Sequence, residues 1–285
     1  MKTTLICPGD ATEVPALARK HPLVLAPFLG RTVLEHALTA LAESGAKHVR
    51  ILASDRPEEI RSRVGRGEAW GITVEVVPSA EGACQARSEA ATTEPVITLD
   101  HLASLPHQPL WRSYRDWYAA QQALLPAFAR QRVGMREVTP GVFVGLRSQI
   151  ASDATLCGPC WIGEGVCIGS RAVIGAGAII EDGSYVDDGA EIVGSIVGPQ
   201  TYVGRYTELR NSFAWGKDLL HLDTGSLAEV NDRFLLSEVR IKRSLASGLA
   251  NVLRGGRARK STAPPAANPT GLSQTGMRLK PRPGN

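Results

Sequence analysis

Three groups of residues have types and spacings that could do chemistry. Cys157-Gly158-Pro159-Cys160 has the spacing of a thiol-redox pair. That chemistry needs the first sulfur at a helix N-terminus, where a thiolate is favoured. Here Gly158-Pro159 reads as a turn and Cys160 falls on a small-residue place of a longer repeat, so a structural role is favoured. The second group is Asp100, which ends the apolar run Val96 to Leu99, together with the loop Pro8 to Glu13, which follows another apolar run. In a mostly parallel sheet such strand ends carry the ligand site. The loop's content argues against phosphate. Pro8 has no N–H to donate, Ala11 resists a positive φ, and Asp10 and Glu13 add two negative charges. Phosphate cradles use backbone donors and positive charge, and opposed like charges a few Å apart cost on the order of 1 kcal/mol even in a watery site. The third group is the histidines, His21, His36, His48, His101, His107 and His221. Only His221, in His221-Leu222-Asp223, lies just past the repeat described next, and a solvated loop histidine is its plainer reading.

The elements that must position these groups are of two kinds. From Val144 to Phe213 the chain repeats every six residues. Apolar residues stand at Val144, Ile150, Leu156, Ile162, Ile168, Ile174, Ile180, Val186 and Ile192; one residue is dropped, and the frame resumes at Val197, Val203 and Leu209. Four places after most of these sits a small side chain, such as Cys160, Ala172, Ala178, Ser184 or Ala190, and the place directly after the apolar residue is often Gly. A fixed period of this kind predicts a solenoid: a left-handed parallel β-helix of about four coils, stacked at roughly 4.8 Å. Glycines and aspartates at its turns are expected to supply unusual φ values. Asp187-Asp188 reads as one such turn, and Trp161 points outward, where it suits a solvent face or an oligomer interface.

The first hundred residues alternate strand and helix. Strands are expected at Thr3 to Cys7, Val49 to Ala53, Ile72 to Val77 and Val96 to Leu99. Helices are expected at Arg31 to Ser44, at Pro57 to Val64 with Glu58-Glu59 in its first turn, and at Glu81 to Ala91. This order predicts a mostly parallel sheet covered by helices, with a ligand site at the strands' carboxyl ends. Leu110 to Leu125 reads as an aromatic-rich helix packed on the sheet or the first coil. After Phe213, Lys217 to Thr224 and Arg233 to Ile241 should close the coil end. Leu245 to Leu253 suits a short helix, and residues from Gly255 on suit a disordered basic tail.

Composition narrows the classes. The chain has 285 residues, a net charge of +4 and five cysteines. The mild charge, concentrated near the C-terminus, does not suggest a nucleic-acid binder, although the tail's charge suits an anionic surface. No apolar run is long enough to span a bilayer. An odd cysteine number and no signal pattern suit the cytoplasm.

Both halves together resemble the sugar-phosphate nucleotidyltransferases (NDP-sugar pyrophosphorylases) that carry a C-terminal left-handed β-helix. The residues that carry the resemblance are Pro22 to Leu25, Gly30-Arg31-Thr32-Val33-Leu34-Glu35-His36, Gly45 to Val49 and Gly82-Ala83-Cys84-Gln85-Ala86. Asp100 matches the family's metal-binding Asp, and Gly194 to Gly198 and Arg210-Asn211-Ser212 resemble its coil turns. The resemblance implies a vestigial nucleotide site at Gly9, Thr12 and Gly82, and Mg²⁺ on Asp100 if any catalysis survives. The departures are large. The family's Gly-Gly-x-Gly-Thr-Arg loop is here Pro8-Gly9-Asp10-Ala11-Thr12-Glu13, its Asn-Gly-Asp is Thr98-Leu99-Asp100, and about a hundred residues bearing the sugar-phosphate pocket and the Glu-Lys-Pro motif have no counterpart.

The expected organisation is a truncated Rossmann-like nucleotidyltransferase-type α/β domain (1–108), a helical connector (109–141), the β-helix (142–215), a closing segment (216–254) and the basic tail (255–285). The resemblance implies a degenerate relative in sugar-nucleotide or polysaccharide synthesis, with a scaffold, regulatory or partner-binding role and no assigned catalytic residue. Its partners would be a homo-oligomer or another protein reached through the β-helix, and a nucleotide or sugar nucleotide. Two alternatives stay open: an active sugar-1-phosphate nucleotidyltransferase with a shortened site, and a hexapeptide-repeat acyltransferase. The acyltransferase needs a general base, and no histidine lies between Val144 and Phe213.

Overall fold

The computed structural model describes residues 2–8, 13–79, 95–104 and 107–239. Four parallel strands, β1 (Lys2–Ile6), β2 (His48–Ala53), β3 (Thr73–Pro78) and β4 (Val96–Thr98), form a sheet in the order β3-β2-β1-β4. In register, Thr3 faces Val49, and Thr4 faces Val96 on the other side. The burial pattern follows from this order. Central β1 is buried from Thr3 to Ile6, while β2 and β3 alternate buried and exposed along most of their length, as expected when only one face of a flanking strand is covered.

Two helices pack here. α1 (Val33–Glu43) opens with a capping box, the Thr32 hydroxyl accepting from Glu35 N while the Glu35 carboxylate accepts from Thr32 N. It starts two residues later than expected because Arg31-Thr32 pairs with Pro27-Phe28 in a hairpin. α2 (Pro57–Val64) spans the expected residues, with Pro at its start and Glu58 and Glu59 in the first turn. The helix expected at 81–91 lies outside the described residues, as do the helix at 245–253 and the basic tail.

The aromatic helix α3 (Tyr114–Gln131) starts and ends later than the hydrophobic pattern suggested. Ser113 caps it, accepting from Asp116 N at 3.0 Å, and the helix continues through Pro126. Leu110 and Trp111 stay outside it and pack beside β4 instead.

The hexads form a coil of three parallel sheets. Trp161 pairs with Ile179, Cys167 with Tyr185 and Val173 with Glu191, each three hexads on. Beyond them Ile196, Tyr202 and Glu208 take the next places, each one residue early. The missing residue is absorbed at the corner after Val193, where Gly194 takes φ +57°. The aliphatic and small places together fill the prism: Ile162, Val166, Ile168, Ala172, Ile174, Ala178, Ile180, Val186, Ala190 and Ile192 are buried in one cluster.

Glycines at the turns supply the unusual φ values expected of them, among them Gly165, Gly177, Gly183, Gly189 and Gly194, but the aspartates and the glycines directly after the aliphatic places do not. Positive φ recurs in stacked corner columns, one of them Arg147, Gly165, Gly183 and Gln200. Gly145, Gly163 and Gly169 are needed for close stacking: a Cβ there would lie 2.7–2.8 Å from backbone atoms of the next coil. Antiparallel strands pair with the coil at both ends. Arg136–Thr139 pairs antiparallel with Val142–Val144, Asp218–His221 with Ser212–Trp215, and Leu236–Glu238 with Thr201–Val203.

Trp161 corrects an expectation. It points out of the coil, yet it is fully buried. Phe143, Trp161, Ile179, Ile196 and Phe213 form an outward strip that shares one core with α3 and the α/β sheet. The Phe213 ring meets Trp117 of α3 edge-on at 5.0 Å, and the Tyr118 hydroxyl donates to Gly177 O at 2.9 Å. The outward tryptophan therefore serves contact within this chain. Among the described residues no helix is long and apolar enough to cross a membrane.

Candidate functional site

At the carboxyl edge of the sheet, the expected metal residue Asp100 is exposed, and its backbone O accepts from Leu110 N at 2.9 Å. Behind it Leu99, Leu102, Leu110 and Trp111 are all buried, and Trp111 Nε1 donates to Leu99 O at 2.7 Å. This apolar clasp occupies the place where the chain leaves β4. Arg56, at the end of β2, is engaged by Asp55 at 3.0 Å and by Ala18 O at 2.6 Å. Gly9, Thr12 and Gly82 lie outside the described residues. Among the described residues no group of three or more His, Cys, Asp or Glu side chains is placed to hold a metal ion.

The structure brings a different set together at the seam between the α/β half and the coil. The hairpin turn is Leu29-Gly30, both with positive φ (50° and 75°), the pairing that favours tight hairpins. The φ of +75° favours Gly at position 30, and a Cβ there would displace the Arg132 guanidinium. Gly30 N donates to Glu181 Oε2 at 2.6 Å. Arg132, just past α3, donates to Leu29 O at 3.1 Å and to Asp182 Oδ2 at 3.0 Å, and lies 5.5 Å from the centre of the Trp161 ring.

Burial, and then the neighbouring Asp182, push the Glu181 carboxyl up to about 8. His36 lies beside the same hairpin, stacked 4.4 Å from Phe128, with Nε2 donating to Phe28 O at 2.8 Å. Burial pushes its imidazole down to about 4, so it is neutral. Several cavities border the hairpin, and two of them also reach the coil. One, of about 380 Å³, is lined by His36, Phe128, Arg132 and Trp161 among others. The other, of about 360 Å³, is lined by Arg31, Glu181, Gln200 and Trp215 among others.

Glu181 and Arg132 escaped the sequence reading. The available signal was weak: Glu181-Asp182 occupies the same hexad place as Asp187-Asp188. Asp187-Asp188 is the coil turn expected. Its carboxylates serve the coil, Asp187 accepting from the Tyr202 hydroxyl at 2.8 Å and Asp188 from Ser170 N at 2.9 Å.

The cysteine pair lies in the coil, not at a helix start. Cys160 is buried within a strand, Cys157 is exposed, and burial pushes the Cys160 thiol up to about 12. That environment suppresses thiolate, as the structural reading requires. His221 Nδ1 accepts from Thr224 N at 3.4 Å, while Asp223 pairs with Arg115 at 2.5 Å. His221 and Asp223 therefore have different partners.

No family model matches the chain, and no curated protein matches it. Solved structures give weak likenesses. The acetyltransferase domain of PglB from Neisseria gonorrhoeae, in complex with acetyl coenzyme A, is 12% identical, with 73% of this chain and 78% of that chain covered and a TM-score of 0.21. A mutant of perosamine N-acetyltransferase from Caulobacter crescentus, in complex with CoA and GDP-perosamine, is 16% identical, with 60% and 94% covered and a TM-score of 0.20. Scores this low carry no weight for function.

Proposed function

We propose that this chain is a nucleotidyltransferase-like binding protein of sugar-nucleotide or polysaccharide synthesis, acting in the cytoplasm by holding a ligand or partner. On this reading the α/β part (1–108) is a truncated Rossmann-like domain and the coil (142–215) is a left-handed β-helix. The connector (109–141) locks the two together, and the coil faces left open serve an oligomer or partner protein. The observation that carries the reading is the clasp behind Asp100. Leu99 and Trp111 are buried and Trp111 Nε1 donates to Leu99 O; on this reading that bulk takes the room a second substrate would need. Nucleotidyl transfer also needs a phosphate cradle and carboxylates for Mg²⁺.

Two assays test it: isothermal titration with nucleoside triphosphates and Mg²⁺, and pyrophosphate release from triphosphate plus sugar 1-phosphate. The reading expects no release above background. Release that disappears in Asp100→Ala would replace it with an active, shortened nucleotidyltransferase.

A second reading, a hexapeptide-repeat acyltransferase, is favoured by one observation. His221 sits in the strand paired to the coil's last strand, with Nδ1 occupied as an acceptor. As a general base it would need the other tautomer, with the proton on Nδ1 and the Nε2 lone pair free. Thiol release from acetyl-CoA with an amino-sugar nucleotide as acceptor, lost in His221→Asn, would establish this reading.

A further inference from the structure

Charge is sharply divided along the chain. All 28 Asp and Glu and 22 of the 32 Lys and Arg lie before residue 240. The segment 240–285 holds the other ten cations and no acid. The net charge of +4 therefore combines an acidic body with a strongly basic segment. Such segregation aims a molecule at an anionic partner through one part of its surface.

The pattern within the segment narrows the partner. Ile241, Leu245, Leu249, Val252 and Leu253 recur at steps of mostly three and four residues, the spacing of one helix face. Lys242-Arg243 stand among them, and Arg254, Arg257, Arg259 and Lys260 follow. An apolar stripe among cations suits the headgroup region of an anionic bilayer. No Phe, Tyr or Trp occurs from 240 on, so the segment offers nucleic-acid bases no aromatic stacking surface.

A second observation lies in the residues just before the segment. Phe234 is 82% exposed and Leu235 44%. A tight turn holds them there: Asp232 Oδ1 accepts from Phe234 N at 2.8 Å, and Asp232 O accepts from Leu235 N at 3.1 Å. Leu235 O in turn accepts from Gly204 N at 2.8 Å, at the coil corner that carries Tyr206, 71% exposed. Single exposed apolar residues are ordinary; here three are tied to one corner, with Arg233 exposed beside them. Arg205 is at the same corner, but Asp187 and Asp188 engage its charge. The corner is thus an apolar point with little charge of its own, and the cations begin six residues after Phe234. Aromatic and apolar side chains of this kind settle at the bilayer interface.

We propose that this chain docks on an anionic phospholipid bilayer, with Phe234, Leu235 and Tyr206 entering the headgroup region and the cations of 240–285 pairing with lipid phosphates and carboxylates. The contact is peripheral and reversible. It does not rest on the function proposed above.

Flotation of the full chain with vesicles of phosphatidylcholine, alone or with about a third phosphatidylserine, tests it. The chain should float with the anionic vesicles and not with the neutral ones, and the bound fraction should fall as salt rises from about 0.1 to 0.5 M. Replacing Arg254, Arg257, Arg259 and Lys260 together by Gln should weaken binding by more than about a hundredfold, at about fivefold per cation. Phe234→Ser should weaken it about tenfold; the residue is exposed, so the variant keeps its fold. No binding, or equal binding to both vesicles, would overturn the proposal. So would anionic binding left unchanged by Phe234→Ser, because the corner would then have no part in it. Duplex DNA that strips the chain from anionic vesicles at equal phosphate concentration would overturn it in favour of a nucleic acid. The nucleotide and acetyl-CoA assays above can succeed or fail without changing any of these results.

Discussion

Glu181 and Asp187 occupy equivalent places in successive hexads, and their surroundings give them opposite behaviour. Asp187 is held below its ordinary range: desolvation is the largest single influence and raises it, but the hydrogen bonds from Asp188 N, Tyr202 and Arg205 together outweigh it. Glu181 is raised from 4.5 to about 8, chiefly by burial under the hairpin. No local pattern separates the two, because what buries Glu181 is a hairpin about 150 positions away. The sign of the linkage follows. A carboxyl raised in the folded state binds its proton more tightly when folded, so its contribution to stability is fullest below about pH 4.5 and is lost as pH rises towards 8. Glu181→Gln, a neutral mimic, should therefore gain stability relative to the parent between those limits, by more than about 1 kcal/mol. Urea midpoints measured at pH 5 and pH 8 check this; a parallel pH dependence in both proteins would remove Glu181 as its source.

At the scale of elements, regular repetition was readable and contact between elements was not. The hexads placed the inward aliphatic and small residues correctly because each place sees the same surroundings in every coil. Ala178 is a small place of this kind, fully buried in the coil's core cluster. Ala178→Leu should cost about 1–3 kcal/mol through overpacking, read as a lower denaturant midpoint with an unchanged slope. The bounds of α3 were misplaced for the opposite reason. Leu110 and Trp111 extend a helical stripe in the sequence, but Ser113 caps the helix and the stripe's first residues pack beside β4. Asp100 lies two residues past β4, exposed at the carboxyl edge of the sheet. The seam of Gly30, Arg132 and Glu181 was invisible, because its residues come from three separate stretches and each has an ordinary local role.

Across the whole molecule, one buried core runs from the sheet through α3 to the coil's outward strip. The α/β half and the coil should therefore melt together. Residues 142–239 expressed alone would expose Phe143, Trp161, Ile179, Ile196 and Phe213 as one apolar stripe, larger in kind than monomers usually show. Size-exclusion chromatography of that piece should find self-association; a clean monomer would mean the strip is not sticky enough to demand a cover.

The coil that is one residue short bears on how the chain finds its place. A perfectly periodic solenoid can pair one coil out of step at little cost, since every strand fits the next equally well. The corner at Gly194 breaks that equivalence, because strands spanning it align only in the observed pairing of Ile179 with Ile196. It acts as an indexing notch in an otherwise sliding scale. Inserting one residue beside Gly194 would restore the period and erase the notch. Such a variant should refold in lower yield, with mispaired species visible as extra peaks in native electrophoresis, while the stacking of the earlier coils is kept.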